Sequence, residues 1–359
     1  MNTNLLDLYS DYLLSSFSYT TATGLSNTLD GQISHDKITR FLSEETWTSK
    51  DLWKLVKKTV REVESDDGIL IFDDTIEEKM YTDENDMIAW HFDHVFGRSV
   101  KGVNLLSCLY HVKDLNIPVQ FELVKKTVEM TDKKTGKTVR KSAVTKNEMF
   151  RSMLGTCANT LCLLFSHIIA DVWFSSNESM TYIHEELNKI FIIPIKSNRL
   201  IAFSKEDQQS GRFEQVGSTA RELTSEPVQV FLQGLSFPVL LLKQVFINED
   251  NSEGVLYLVT NDLTATKDEI ISIYQKRWNI EEYHKSIKSN ASFAKSPTKT
   301  VRTQSNHFFA SIFSYLKFEL LKKKTRLNHF ALKSKLYLCA IRSSMNELTR
   351  LRQSRGWSA

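Results

Sequence analysis

The sequence predicts an α/β protein with helical regions at both ends, and three observations carry that reading. Short apolar runs rich in β-branched residues alternate with helical stretches through the middle of the chain. Two of those runs stop at an aspartate, and a block of β-like runs interrupts the alternation before one last long helix. Three strands in a row, then helix, strand, helix and strand, is the order of an α/β sheet.

The elements follow in chain order. Residues 1–66 read as helices, because Leu13, Leu14 and Phe17, then Trp47, Leu52, Trp53, Leu55, Val56 and Val60, recur at helical spacing. GILIF at 68–72 is a short continuous apolar run suited to a strand buried on both faces, and it stops at Asp73-Asp74-Thr75. Residues 99–112 and 119–130 read as two more strands, joined through Asp114 to Pro118, with a polar loop TDKKTGK after them. Asn147 to Thr160 reads as helix, HIIADVWF at 167–174 as a strand that terminates at Asp171, 177–189 as helix and 191–195 as strand. Residues 196–263 are short β-like runs with polar turns, an insertion rather than a separate domain. One long helix is expected from about Lys267 to Ser289, and the tail from Asn306 to Leu351 is helical, with apolar stripes and many lysines. The expected organisation is therefore a helical region at 1–66, a core at 67–195, the β-rich insertion at 196–263, the core's last helix at 264–300 and a basic helical region at 301–359.

Bulk properties narrow the function. An apolar content of 41% with 25% charged residues is that of a globular protein, and no eighteen-residue uncharged apolar stretch offers a membrane span. The opening MNTNLLDLYSDYLL lacks the basic start and small-residue cleavage site of a signal peptide. Cys108, Cys157, Cys162 and Cys339 are scattered without a CxxC pair, which suggests reduced thiols in a cytoplasmic protein. The net charge of +3 conceals an asymmetry: residues 285–359 hold 16 basic and 2 acidic side chains, leaving 30 basic and 41 acidic elsewhere. A basic C-terminal quarter points to a polyanion such as nucleic acid, or to a merely solvated Lys-rich helical surface.

The acids carry the chemistry. Asp73 and Asp171 each follow a short apolar strand, and ligands of open α/β sheets bind at the carboxyl ends of strands. Neighbouring carboxylates need a proton or a cation, and hard oxygen donors suit Mg²⁺. Aspartates also start turns and cap helices, so position alone leaves both readings open. In YQKRWNIEEYHKSIK, Tyr274, Arg277, Glu281 and Lys288 fall within roughly 60° of one another on a helix, at about 100° per residue. Ile273, Ile280, Tyr283 and Ile287 fall on the far side. Any amphipathic helix can do this, and Arg277–Glu281 can be an ordinary surface pair.

The string Tyr274-x2-Arg277-x3-Glu281-x6-Lys288 resembles the YREK signature of bacterial insertion-sequence DDE transposases, the cut-and-paste family, and Trp278 with the run Ile280 to Lys285 extends the match. A strand ending in D-x-T (Asp73-Asp74-Thr75), a strand ending in Asp171 with Trp173 soon after, a β-rich insertion and the glutamate helix come in that family's order. The resemblance covers about Gly68 to Asn290. It implies an RNase H-like mixed sheet flanked by helices. It implies Asp73, Asp171 and Glu281 as catalytic, metal-binding residues for Mg²⁺, with Mn²⁺ as a substitute. It also implies DNA contacts from Tyr274, Arg277, Trp278, Lys285 and Lys288, although Trp278 can equally pack against the sheet. Either acid of Asp73-Asp74 can point inward; Asp73 is chosen because it follows the strand directly.

The implied activity is two-metal hydrolysis of a phosphodiester at a transposon end, then attack of the freed 3′-hydroxyl on target DNA. The implied partners are double-stranded DNA, both terminal inverted repeats and target, and a second copy as a homodimer on DNA. The implied location is the bacterial cytoplasm at the nucleoid, with no membrane. A nuclease without strand transfer and a catalytically silent, DNA-binding remnant are the rival readings. Relatives that cut through a hairpin hold a flipped base on an aromatic side chain. The insertion has no Trp, but Phe203, Phe213, Phe231, Phe237 and Phe246 are available. The basic stretch from Lys125 to Lys146, with Lys126, Lys133, Lys134, Lys137, Arg140 and Lys141 between, is expected along DNA or as a solvated hairpin. In the N-terminal helices, His35, Lys37 and Arg40 are candidates for reading terminal repeats.

Other signals are weak. His184-Glu185-Glu186 begins like a zinc-protease helix, but Asn188 stands where the second histidine belongs. His91 and His94 flank Asp93 in what reads as a polar turn. No phosphate-binding GxxxxGK[ST] and no GxSxG nucleophile motif occurs.

Overall fold

The computed structural model describes residues 1–93, 97–131, 136, 138–219, 225–247 and 251–354. His94 and three of the basic-stretch lysines (Lys133, Lys134 and Lys137) lie outside the described residues. The chain forms two compact units, one of residues 55–80 and 86–281, the other of residues 1–54, 81–85 and 282–359.

The larger unit is built on an eleven-stranded sheet. Its strands are β1 (Ile69–Glu78), β2 (Ala89–Asp93), β3 (Arg98–Val112), β4 (Leu115–Leu123), β7 (His167–Ala170), β8 (Ile190–Ile195), β9 (Leu200–Ala202), β10 (Glu214–Gln215), β11 (Val228–Leu232), β12 (Val239–Ile247) and β13 (Glu253–Thr260); β5 (Val128–Thr131) and β6 (Thr138–Lys141) pair apart from it. β4, β3 and β1 are antiparallel neighbours, and β7 and then β8 continue parallel to β1. This mixed α/β order is the RNase H-like arrangement expected. The strands of the 196–263 block extend the same sheet beyond β8, through β13, β12, β11, β9 and β10.

Hydrophobic burial explains the centre of the sheet. Ile69, Leu70, Ile71 and Phe72 of β1 and Ile168, Ile169 and Ala170 of β7 are all buried, as befits parallel strands covered on both faces. Successive side chains of β1 alternate, so Ile69, Ile71 and Asp73 share one face and Leu70, Phe72 and Asp74 the other. On the Phe72 face lies α5 (Lys146–Gly155), whose Phe150 ring meets Phe72 edge-on at 4.7 Å and Phe174 at 5.1 Å. α6 (Asn177–Thr181) and α7 (Lys205–Gln209) are short. On the Ile69 face a chain of side-chain bonds, His111 to Asn116 (2.7 Å) and Asn116 to Asn279 (3.2 Å), ties the sheet to the region where α8 (Lys267–Gln275) meets α9 (Trp278–Ser289).

Several local expectations are corrected. β1 does not end at Asp73 but runs on to Glu78, because β3 keeps pairing with it as far as Glu78↔Gly102, while β7 leaves at Ala170. Asp171 lies beyond β7, opening a 3-10 turn over Val172–Phe174, so strand does not continue to residue 174. Pro118 lies inside β4 rather than in a connection. β4 pairs with β3 alone, and the register shifts between Cys108 and Leu109, so no ladder bond is lost for want of a proline N–H. The single helix 267–289 is two helices, for the N–H groups of Lys276, Arg277, Asn279 and Ile280 each bond three residues back rather than four. The helices at 147–160 and 177–189 also stop short as α-helix, each finishing in a widened turn, over Thr156–Thr160 and Tyr182–Glu186.

The smaller unit is helical: α1 (Thr3–Ser15), α2 (Ala22–Thr28), α3 (His35–Ser43), the start of α4 (Ser49–Val63), most of α9, α10 (Val301–Thr325) and α11 (His329–Ser354). Residues 303–312 of α10 are buried all round, their polar groups included. Buried Asn306 accepts from the Trp47 N–H at 2.9 Å and donates to the carbonyls of Leu42 and Glu45 at 3.0 and 2.6 Å. Buried His307 bonds the Tyr9 hydroxyl at 3.0 Å and the Ser292 carbonyl at 2.9 Å. Among the described residues no helix is long and apolar enough to cross a membrane.

Candidate active site

Backbone register sets the first two acids side by side. Phe72 of β1 pairs with Ala170 of β7 in parallel register, so the next residues, Asp73 and Asp171, come abreast where the strands lie about 4.8 Å apart. Asp73 is mostly buried (17% exposed), and its carboxyl proton affinity is pushed up to about 7. Burial is the largest cause, followed by the charges of Asp74 and Asp171; Arg277 and the Asp74 backbone N–H oppose it. That N–H donates to Asp73 Oδ1 at 2.8 Å.

Asp74 points to the other face. Its carboxylate takes the Lys146 ammonium at 2.9 Å on both oxygens and the Asn104 amide at 2.6 Å. Of the adjacent pair, Asp73 is therefore the acid that faces Asp171, and Asp74 already has its cation.

The break between α8 and α9 positions the third part. In a 3-10 turn, residues three apart stack, and the Arg277 guanidinium carbon lies 5.9 Å from the Tyr274 ring centre. From there the guanidinium reaches Glu281 Oε1 at 2.5 Å through one terminal nitrogen and Asp73 Oδ2 at 3.8 Å through the other. Burial alone would lower the proton affinity of Arg277, yet it stands raised because Tyr274, Glu281, Asp73 and Asp171 all favour its charge. Burial pushes the Tyr274 phenol up; Asp171 and Asp73 add to that, while Arg277 opposes it. Asp73, Asp171, Tyr274, Arg277 and Glu281 thus form one electrostatic group, with Arg277 at its centre.

Three carboxylates are a hard-oxygen donor set of the kind divalent cations take. Among the described residues no three His, Cys, Asp or Glu side chains converge closely enough to hold an ion as they stand, and Glu281 is turned onto Arg277. The donor chemistry suits a divalent cation, and for Glu281 to join the two aspartates it would have to leave the guanidinium.

Beside these acids opens a cleft of about 750 Å³ whose walls include Asp171, Lys196, Phe246, Tyr257, Tyr274 and Arg277. Of the five insertion phenylalanines, Phe246 alone lines it; Phe231 and Phe237 are buried elsewhere. Lys196 sits over the Trp173 ring with its ammonium 3.9 Å from the ring centre. The sequence reading passed over Lys196, although it directly follows β8 just as Asp171 follows β7, and the same strand-end rule would have found it.

The remaining candidates fall as follows. Trp278 is 62% exposed and, with Tyr274, Gln275 and Arg277, lines a second hollow of about 400 Å³; it does not pack against the sheet. Lys285 and Lys288 lie on later turns of α9, in the smaller unit. Lys285 is exposed, its ammonium 5.2 Å over the Phe330 ring, and Lys288 is half-buried. In the basic stretch Lys146 is held by Asp74, Lys126 donates to the Trp90 carbonyl, and Arg140 pairs with Glu129 at 3.4 Å, whereas Lys125 and Lys141 are exposed. His91 is buried on β2 rather than in a surface turn. Burial, then Lys126 and Lys146, lowers its proton affinity to about 4, so it is neutral at pH 7. His184 packs on Phe237 with ring centres 3.9 Å apart.

Comparison with known families gives two overlapping matches. The family described as DDE superfamily endonuclease matches residues 2–221, and the transposase DDE domain matches residues 126–317. No curated protein matches the chain.

Proposed function

The chain belongs to the DDE superfamily of endonucleases and transposases, and from that premise we propose that it is a metal-dependent DNA transposase of the bacterial insertion-sequence type with a YREK helix. In this reading Asp73, Asp171 and Glu281 hold the metal, and Mg²⁺ is the ion, with Mn²⁺ able to replace it. The substrate is the double-stranded DNA of terminal inverted repeats, the second substrate is target DNA, and the enzyme works as a homodimer on DNA in the cytoplasm, at the nucleoid.

The observation that supports it most is the convergence of Asp73 and Asp171 on one strand edge, with Arg277 bridging Asp73 to Glu281. Asp73, Asp171 and Glu281 would hold the divalent metal, which when bound would supply activation of a water or 3′-hydroxyl and neutralisation of the leaving oxygen. The protein's own groups do the rest. Asp73 is largely desolvated, and a cation bound beside it would favour its ionised form. Arg277 has donors and no acceptor, so it binds phosphate without competing as a metal ligand. DNA phosphate offers the guanidinium an alternative partner, which frees Glu281 to join the two aspartates. Tyr274 stacks under Arg277 and limits where it can swing. Trp278 offers an exposed ring beside the same cleft, and Lys285 and Lys288 add positive charge further along α9. Phe246 supplies a stacking surface for a base drawn out of the helix at the cut.

The test is cleavage and joining of a labelled terminal-repeat duplex with Mg²⁺. Asp73→Asn, Asp171→Asn and Glu281→Gln each abolish cleavage while binding of the end persists. Retained cleavage in any one removes that residue from the site. Pre-cut ends then separate a transposase, which joins them to target, from a nuclease, which does not.

A further inference from the structure

The first turn of α5 grips both aspartate-bearing segments through consecutive residues. Lys146 holds the Asp74 carboxylate at 2.9 Å on both oxygens, helped by Asn104 at 2.6 Å. Asp74 is the residue whose backbone N–H donates to Asp73 Oδ1. Immediately next, Asn147 Nδ2 donates to the Trp173 carbonyl at 3.2 Å, and its Oδ1 accepts from the Ser179 hydroxyl at 3.4 Å. Trp173 lies in the 3-10 turn that Asp171 opens, and the Phe174 N–H closes that turn on the Asp171 carbonyl at 3.0 Å. The two grips therefore end one bond away from Asp73 and one turn away from Asp171.

α5 is itself fixed. The Thr145–Glu148 capping box closes its start, and Phe150 packs against both Phe72 and Phe174. A rigid helix end that holds the middle of β1 and the turn after β7 by adjacent side chains sets the distance between them. Lys146 spends its charge on Asp74, on the face of β1 opposite Asp73, so its part is not to contact DNA at the cut.

We propose that Lys146 and Asn147 are positioning residues that set the spacing of Asp73 and Asp171 for a divalent cation. This rests on the reading of those aspartates as metal ligands. Groups that hold metal ligands in place are typically worth roughly 10–100-fold in metal affinity. Neither side chain is fully buried, so truncating either leaves the core intact.

The experiment is a Mn²⁺ titration of the metal-free, full-length protein without DNA, followed by loss of the free-ion electron paramagnetic resonance signal. Thermal melting is recorded in parallel. D73N should lose the tight site. K146M and N147A should each weaken Mn²⁺ binding about tenfold or more with melting temperatures close to wild type. K146R, which can still hold Asp74 with two parallel bonds, should restore wild-type affinity. If K146M and N147A bind Mn²⁺ as wild type does while D73N does not, the positioning role is overturned and the ligand assignment stands. If K146M is weak and K146R is equally weak, the ion pair is not what positions Asp73. If D73N binds Mn²⁺ normally, the ligand assignment fails and this inference fails with it.

Discussion

Removing the charge of Asp73 should make the metal-free protein more stable at neutral and alkaline pH. The folded protein holds a proton on Asp73 up to about pH 7, whereas an unperturbed carboxyl releases it near 3.8. In that window the folded state binds more protons than the unfolded chain, so stability falls as pH rises through it. At about 1.4 kcal/mol for each tenfold change in proton affinity, the full effect is about 4 kcal/mol above pH 7. The side chain retains 17% exposure at a cleft mouth, and water there reduces the effect to roughly half, about 2 kcal/mol. For a unit of this size that corresponds to a rise of about 4–8 °C in melting temperature. The assay is thermal melting of wild type and Asp73→Asn from pH 4 to pH 8.5 in the presence of a chelator. The variant should melt higher at pH 8, and the difference should shrink toward zero as pH falls to 4, close to the 3.8 at which the unfolded carboxyl takes up its proton. Excess Mg²⁺ should then raise the wild type and leave the variant where it was, since a ligand stabilises only the state that binds it. A variant that melts at or below wild type across the whole range refutes the claim that Asp73 is a desolvated, uncompensated carboxyl.

Three further outcomes follow from the site. Arg277→Gln removes a charged donor from two acids and from the phosphate it is proposed to bind; loss of such a bond is worth about 1.5–3 kcal/mol, so end-DNA affinity should fall about 10- to 100-fold in a filter-binding titration. Trp278→Ala should leave stability within about 0.5 kcal/mol, because the ring is exposed. It should still weaken binding to the end by about 1–3 kcal/mol if a base stacks there, and unchanged affinity would remove the ring from the interface. Lys288→Ala should lower the slope of log affinity against log salt by about one, and an unaltered slope would exclude a phosphate contact.

Much of this arrangement is legible in the residues. The runs 69–72 and 168–170 are apolar and buried, as suits strands covered on both faces, and the aspartate that follows each run marks where the two acids come abreast. Ile280 and Ile287 show which side of α9 is buried. What could not be read depends on neighbours distant in sequence. Asp73-Asp74-Thr75 looks like the end of a strand because its side chains are polar, yet β3 supplies pairing partners that carry the strand to Glu78. The break at Lys276–Arg277 has no glycine or proline to announce it. It sets Arg277 above Tyr274, within reach of Asp73 and Glu281. In sequence Lys146 is one more lysine of a basic stretch suited to DNA or to solvent, since nothing local signals that Asp74 faces it from 72 positions away.

The most direct test of the central claim is a crystal structure of the protein on a terminal-repeat duplex with Mn²⁺, with the ion located by its anomalous scattering. Mn²⁺ should lie between Asp73 and Asp171, with the Glu281 carboxylate turned away from Arg277 and onto the metal. Mn²⁺ bound elsewhere on the chain, with Glu281 still paired to Arg277 and Asp73 without a metal contact, would contradict that claim.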